Sequence, residues 1–519
     1  ILNDPKAGFS INFAGMNFTE EFLEALIPKM TNAHNEMRKI EAGEIKNPDE
    51  NRKVTHFTDR AAYPGTTLFE EIEEFAQKVK TGEIKGSTEK KFENLVVNGI
   101  GGSALGPQLV QFAINGPYWN EMSSEQRRGY LKIYFLDNTD PAGIKDLLDI
   151  IDFEETLVLN ISKSGGTQET KNNMIALRDF FTSKKIDFSK HACTITMEGS
   201  QLDQYAKSEN WLKVFPMAES IGGRTSETSI VGHLPAALAG IDFAGLLKGA
   251  CHMDAWTREP DFRKNPSYLL SAMWYMAGGG KGNKNMVIVP YSDRLILLSR
   301  YLQQLVMESL GKEKDLDGKT VHQGLNVFGN KGGTDAHAFI QQLNDGRNDF
   351  FVTFIEILQD AMNIPVEDNI TMGDYLHGFF NGLSQALMQK NRQVIRIFIE
   401  KLDTYRLGMI IALYERSVAF YAELIHINAF HQPGVQAYKL ASKGIIKLTA
   451  DLQTLLAQIG KFSGTAEEIA MQIGKPQQIE EIDGILAKFA TNSVNRHFDG
   501  FEITRKWDSS KGWIYLINH

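Results

Sequence analysis

Six short segments of the 519-residue chain hold residues able to bind an anion or move a proton. In NGIGGSALGP, Asn98 to Pro107, glycines follow the apolar run ENLVV. At a strand-to-helix turn glycine lets the backbone approach an anion, and the N–H groups around Gly102 and the Ser103 hydroxyl supply donors. The spacing is not G-x-G-x-x-G and no acidic ribose partner stands out, which argues against a dinucleotide. In LNISKSGGTQET, Leu159 to Thr170, a second apolar run enters a helix start carrying Ser162, Lys163, Ser164 and Thr167. Capping a helix takes one hydroxyl. Three hydroxyls and a cation within six positions point instead to a phosphate monoester. No G-x-x-x-x-G-K-[ST] loop accompanies them, so a nucleoside triphosphate with magnesium is not expected.

The other four segments offer proton and charge chemistry. In SIGGRTSETSIVG, Arg224 follows two glycines, so nothing bulky shields it on its N-terminal side. In RLILLSRYLQQLVMESLG, Gln304 and Glu308 stand four apart and share one face of a helix. Glu308 lies in the last turn before Gly311, at the negative end of the helix dipole, where a carboxylate suits base chemistry near neutral pH, although by residue type alone a solvated helix face is the commoner case. In GNKGGTDAHAF, His337 follows a strand and a glycine loop. In FHQPGVQAYK, a Pro-Gly break places Gln432 at a helix entry and Lys439 near its second turn. Taken singly, a lone His or Lys is more often structural or solvated.

These residues need a scaffold. Apolar runs (ENLVVNGI, LKIYFLD, TLVLNIS, ACTITME, WLKVFP) alternate with helical stretches from Phe92, and the rhythm resumes at NMVIVP, GLNVFG, FFVTFIEI and QVIRIFIE. Such alternation marks parallel sheets covered on both faces. The expected class is α/β, with two doubly wound αβα sandwich subdomains and helical N- and C-terminal extensions. The expected boundaries are a helical arm over 1–89, a first subdomain over 90–245, a helical connector over 246–284, a second subdomain over 285–445 and an extension over 446–519. That extension reads as two short helices followed by a hairpin, compatible with a winged-helix-like unit. From Thr465 onward it holds eight acidic against six basic residues, a poor footprint for a phosphate backbone.

Composition bounds the partners. The net charge of −9, with no long basic tract, argues against nucleic acid or an anionic membrane. Two cysteines, Cys193 and Cys251, form no C-x-x-C pair, which fits a reducing compartment without structural zinc. No apolar stretch is long enough to span a membrane. Because the sequence begins at Ile1, a removed targeting segment stays open.

In this order, GIGGSALGP, SKSGGTQET, GGR followed by a Ser, MES-x-GK and F-x-Q-x-GV-x-x-x-K resemble the glucose-6-phosphate isomerase (phosphoglucose isomerase) family, over about Phe92 to Lys443. GNKGGTDAHAFIQQL is similar to the cyanobacterial and plastid form. The resemblance implies two sugar-isomerase (SIS) subdomains, a cytoplasmic homodimer with shared active sites, and interconversion of glucose 6-phosphate and fructose 6-phosphate without metal or cofactor. It assigns Gly102, Ser103, Ser162, Lys163, Ser164 and Thr167 to substrate binding, the hydroxyl cluster taking the 6-phosphate. Glu308 becomes the C2/C1 base, and Arg224 the cation near the enediol. Gln304 and Gln432 contact substrate hydroxyls. His337, drawn from the partner subunit, and Lys439 handle ring opening. Departures are Thr225 after GGR, His431 and Gln436 where relatives usually carry acids, and Asn330 where many carry Glu. Two alternatives stay open, a non-catalytic sugar-phosphate sensor and an isomerase that also accepts mannose 6-phosphate.

Overall fold

A computed structural model describes residues 1–48 and 50–519, the side chain of Gln436 excepted. The chain divides into two compact units, Ile1–His431 and Gln432–His519.

The first unit contains two mainly parallel sheets. One runs, from edge to edge, Lys132–Leu136, Asn94–Asn98, Thr156–Ile161, Ala192–Thr196 and Lys213–Pro216, all neighbours parallel. Numbered along the chain, the order is second, first, third, fourth, fifth. Leu95, Val97, Leu157 and Leu159 enter one core while Val96 and Val158 enter the other, so alternate residues of the same apolar run are buried on opposite faces. That two-sided burial is why the strands read as continuous apolar runs.

The second sheet repeats the plan. Val327–Phe328, Asn285–Tyr291, Phe350–Ile357 and Gln393–Ile399 lie side by side and parallel, again in the order second, first, third, fourth. Its far edge carries an addition from the N-terminus. Phe9–Asn12 pairs antiparallel with Gln393–Ile399, and Leu2–Asp4 pairs with Phe9–Asn12. The arm expected to be helical therefore begins with two strands. Its four-residue strand buries only Phe9 and Ile11, too short a pattern for alternation to register in the sequence. The helix Thr404–Leu424 is buried along nearly its whole length. Its close approach to the helix Phe243–Trp256 depends on glycine, since a Cβ on Gly249 would lie 1.7 Å from the Tyr405 carbonyl oxygen.

In the second unit a long helix, Gly434–Leu456, is followed by helices Ala466–Gln472 and Ile479–Asn492. The hairpin Glu502–Asp508 and Gly512–Asn518 follows, with Phe462–Gly464 paired to its second strand. The order of two short helices and a hairpin is the one expected from the sequence. Among the described residues no helix is long and apolar enough to cross a membrane.

Candidate active site

The first and third strands of the first sheet lie side by side where the strand order reverses. Crevices open at the carboxyl ends of the strands at such a point. Asn98 ends the first strand and leads into the Gly99–Ser103 loop; Ile161 ends the third and leads into Ser162–Thr167. The two segments singled out for anion chemistry thus emerge next to each other. Below them, Asn98 Nδ2 donates to Asn160 Oδ1 at 2.8 Å and to the Thr170 carbonyl at 2.8 Å, while Asn173 Nδ2 donates to Asn98 Oδ1. This buried amide cluster ties the two strand ends together. Its signal in the sequence is an Asn closing an otherwise apolar run.

In the second loop, Ser162 Oγ accepts from the Gly165 N–H at 3.1 Å and lies 3.3 Å from Thr167 Oγ1, and Ser164 Oγ accepts from the Gly166 N–H. Thr167 sits at the N-cap of the helix Gln168–Ser183, yet its side chain caps no backbone N–H of that helix. Gly165 has φ +70°, and a Cβ there would lie 2.3 Å from the Leu202 nitrogen, so the tight turn requires glycine. Lys163 Nζ donates to the carbonyls of Glu219 (2.7 Å) and Ile221 (3.1 Å), which binds the loop to the segment leading into GGR. Burial, with Arg52 adding to it, lowers the pKa of Lys163 below the usual lysine value.

The GGR turn packs directly on the first loop. A Cβ on Gly102 would sit 1.8 Å from the Gly223 carbonyl oxygen, and Ser226 Oγ donates to the carbonyls of Gly102 and Gly223. One turn along the helix Gly102–Asn115, Gly106 makes room for the Glu227 carboxyl, which Gly232 flanks from the other side. Backbone contact between two glycine segments fixes where Arg224 projects. Its Nε lies 3.3 Å from Glu308 Oε2, and its Nη1 donates to Ser309 Oγ at 2.8 Å and to the Ala429 carbonyl. Its Nη2 donates to the His431 carbonyl at 3.3 Å, so His431 contributes through its backbone. Burial lowers the pKa of Arg224 from the usual guanidinium value, with Arg52 acting the same way and Glu308 opposing.

Glu308 differs from expectation in its backbone. The helix Leu298–Leu302 widens into a π-helix over Gln303–Glu308. Such segments are rare and recur at functional sites. The i→i+5 bonding leaves no mark on side-chain periodicity at this length. Gln304 and Glu308 remain half-buried while Leu305 and Val306 are buried, and the Gln304 amide lies 2.9 Å from the Cβ position of Gly101. The structure therefore gathers Gly102, Arg224, Gln304 and Glu308, with the Ser162–Thr167 cluster joined to them through Lys163.

His337 ends the 3-10 turn Thr334–His337; its side chain is exposed and makes no hydrogen bond among the described residues. Asn330 has a structural use, because its backbone and side-chain N–H groups donate to the buried Asp335 carboxylate. Gln432 and Lys439 belong to the second unit, Lys439 exposed on the helix Gly434–Leu456. The Gln436 departure falls on a side chain outside the described residues. Sequence reasoning missed Arg52, whose Nη1 donates to the Ser220 carbonyl at 3.1 Å and whose Nε meets Glu50 at 2.7 Å. It lies in a polar arm with no motif around it, and only the folded chain brings it to the GGR turn.

The family model described as phosphoglucose isomerase matches residues 12–457. A glucose-6-phosphate isomerase of Citrifermentans bemidjiense is 44% identical over 519 residues, 98% of this chain and 95% of that protein. A glucose-6-phosphate isomerase of Gloeothece citriformis is 45% identical over 499 residues, 94% and 92% of the two chains. The crystal structure of a glucose-6-phosphate isomerase from Chlamydia trachomatis superposes with a TM-score of 0.76 at 28% identity, covering 86% of this chain and 89% of that one. With the motifs in order, the paired strand ends carrying them and matches of this extent, the chain belongs to the phosphoglucose isomerase family.

Proposed function

We propose that the chain interconverts glucose 6-phosphate and fructose 6-phosphate, an aldose–ketose step in glycolysis and gluconeogenesis. The observation that carries the reading is the Arg224–Glu308 pair at 3.3 Å, set beside two glycine-lined loops at the sheet's switch point. The reaction opens the sugar ring and then moves a proton between C2 and C1 of a planar cis-enediol, which one carboxylate can do. Glu308 is that base. Arg224 meets the negative charge that develops on the enediolate oxygens. Ser103, Ser162, Ser164 and Thr167, with the Gly102 backbone and Lys163, take the 6-phosphate, which orients the substrate without reacting. Gln304 and Gln432 contact sugar hydroxyls, and His337 and Lys439 serve ring opening. These steps use proton transfer and hydrogen bonding alone.

We further infer a cytoplasmic homodimer. His337 is exposed and without a hydrogen-bond partner among the described residues, as a side chain serving a second copy would be. Met362, Ile364, Val366, Ile370, Met372 and Phe379 also expose apolar surface within one stretch of chain, which a second copy would cover. The functional reading is tested by supplying purified protein with fructose 6-phosphate and detecting glucose 6-phosphate through a coupled dehydrogenase. Steady formation is expected, and an unchanged ketose would reject the isomerase in favour of a sugar-phosphate sensor. Turnover of mannose 6-phosphate in the same assay measures selectivity at C2.

A further inference from the structure

Lys312 is a buried cation against the site that none of the roles above uses. It opens the short strand Lys312–Lys314, directly after the Gly311 that ends the Glu308 helix, and is 4% exposed. Its side chain folds back so that Nζ donates to the Glu308 carbonyl at 2.8 Å and to the Ser309 carbonyl at 2.7 Å. Carbonyls at a helix end have no partner within the helix, and a lysine can satisfy them. The choice of these two is informative. Glu308 and Ser309 are also the residues whose side chains meet Arg224, through its Nε and Nη1 respectively. Lys312 thus holds the backbone of both residues that meet the guanidinium.

This placement is unfavourable for a lysine. Among the described residues no carboxylate forms an ion pair with it, and Arg224 is a second positive charge nearby. Burial, reinforced by Arg224 and opposed by Glu308, pushes its pKa down to about 7. Gly311 already ends the helix with its own N–H, which donates to the Met307 carbonyl at 2.8 Å. That bond serves Met307, so the Glu308 and Ser309 carbonyls keep Lys312 as their donor, although this places a buried cation next to Arg224.

We propose that Lys312 is a positioning residue for proton transfer, clamping the Glu308 and Ser309 backbone so that carboxylate and guanidinium hold their relative geometry. The inference rests on Glu308 being the base. Lys312→Met keeps the length and apolar body of the side chain and removes its donors. Its kcat is expected to fall by about ten- to a hundredfold, the range for residues supporting a catalytic group. KM for fructose 6-phosphate should stay within about threefold, while Tm should fall modestly because the Glu308 and Ser309 carbonyls lose their donor. In Lys312→Ala, n-propylammonium should restore kcat in proportion to its concentration, whereas tetramethylammonium, which has no N–H, should not. A Lys312→Met kcat within twofold of wild type overturns the proposal. So does a loss that follows falling Tm and that n-propylammonium does not repair in Lys312→Ala. Glu308→Gln run alongside separates the two claims. If it is inactive while Lys312→Met is fully active, only the clamp fails; if it stays active, the base assignment fails and takes the clamp with it.

Discussion

Glu308 and Arg224 stand 84 positions apart in the chain and 3.3 Å apart in the fold. Arg224 stood out in the sequence from the glycines before it, whereas Glu308, late in a helix, read by residue type more as a solvated face until family resemblance singled it out. Their pairing was legible only through family resemblance, because contact between distant segments leaves no local pattern. Arg52 shows the opposite case, a cation brought to the GGR turn whose surrounding sequence resembles any polar arm. Replacing Glu308 by Gln preserves shape and removes the proton acceptor. It should lower kcat by about 10²- to 10⁴-fold, the usual weight of positioned acid–base catalysis. Calorimetric binding of fructose 6-phosphate should remain, because the phosphate ligands are untouched. A variant that kept most of its kcat would move the base elsewhere.

At the scale of elements, the nine strands of the two parallel arrays were legible as apolar runs, most fully central ones such as Asn94–Asn98 and Thr156–Ile161, buried at every residue, and least at edges such as Lys213–Pro216, where only Phe215 is buried. The N-terminal strands and the π-helix were not, the first for brevity and the second because it is a backbone event. The packing of the GGR turn on the helix Gly102–Asn115 brings a carboxyl into the interior at Glu227, 1% exposed and without a hydrogen-bond partner among the described residues. Burial, with Glu415 nearby, raises its pKa well above the ordinary carboxylate value of 4.5. The folded chain therefore keeps a proton that the unfolded chain releases above about pH 4.5, so this group's contribution to stability falls as pH rises from there. Glu227→Gln binds no such proton. Melting at pH 5 and pH 8 should show the difference in Tm moving in the variant's favour at the higher pH. A difference independent of pH would mean that Glu227 is ionised in the fold.

For the whole molecule, the two sheets repeat one strand order without residue-level repetition, so the architecture was legible through its rhythm. The homodimer rests on family resemblance: in that proposal the exposed His337 serves a second chain, a relation that no local pattern in one sequence registers. Mixing subunits tests it. Glu308→Gln and His337→Ala homodimers should each be nearly inactive, yet a mixed dimer has one site with both changes and one with neither. Random exchange should then restore about a quarter of wild-type activity, half the dimers being mixed and each having one of two sites intact. Activity no greater than the sum of the parents would place His337 in the site of its own chain.

As proposed, Glu308 carries a proton between adjacent carbons of a hexose 6-phosphate. Proton NMR of the wild-type protein with fructose 6-phosphate in D₂O reads this directly, since a base that exchanges with solvent leaves deuterium where it returns a proton. Glucose 6-phosphate should appear with deuterium at C2, and Glu308→Gln should show neither the product nor the label. Conversion by wild type in which C2 never acquires deuterium from solvent, or conversion that survives Glu308→Gln, would contradict the account.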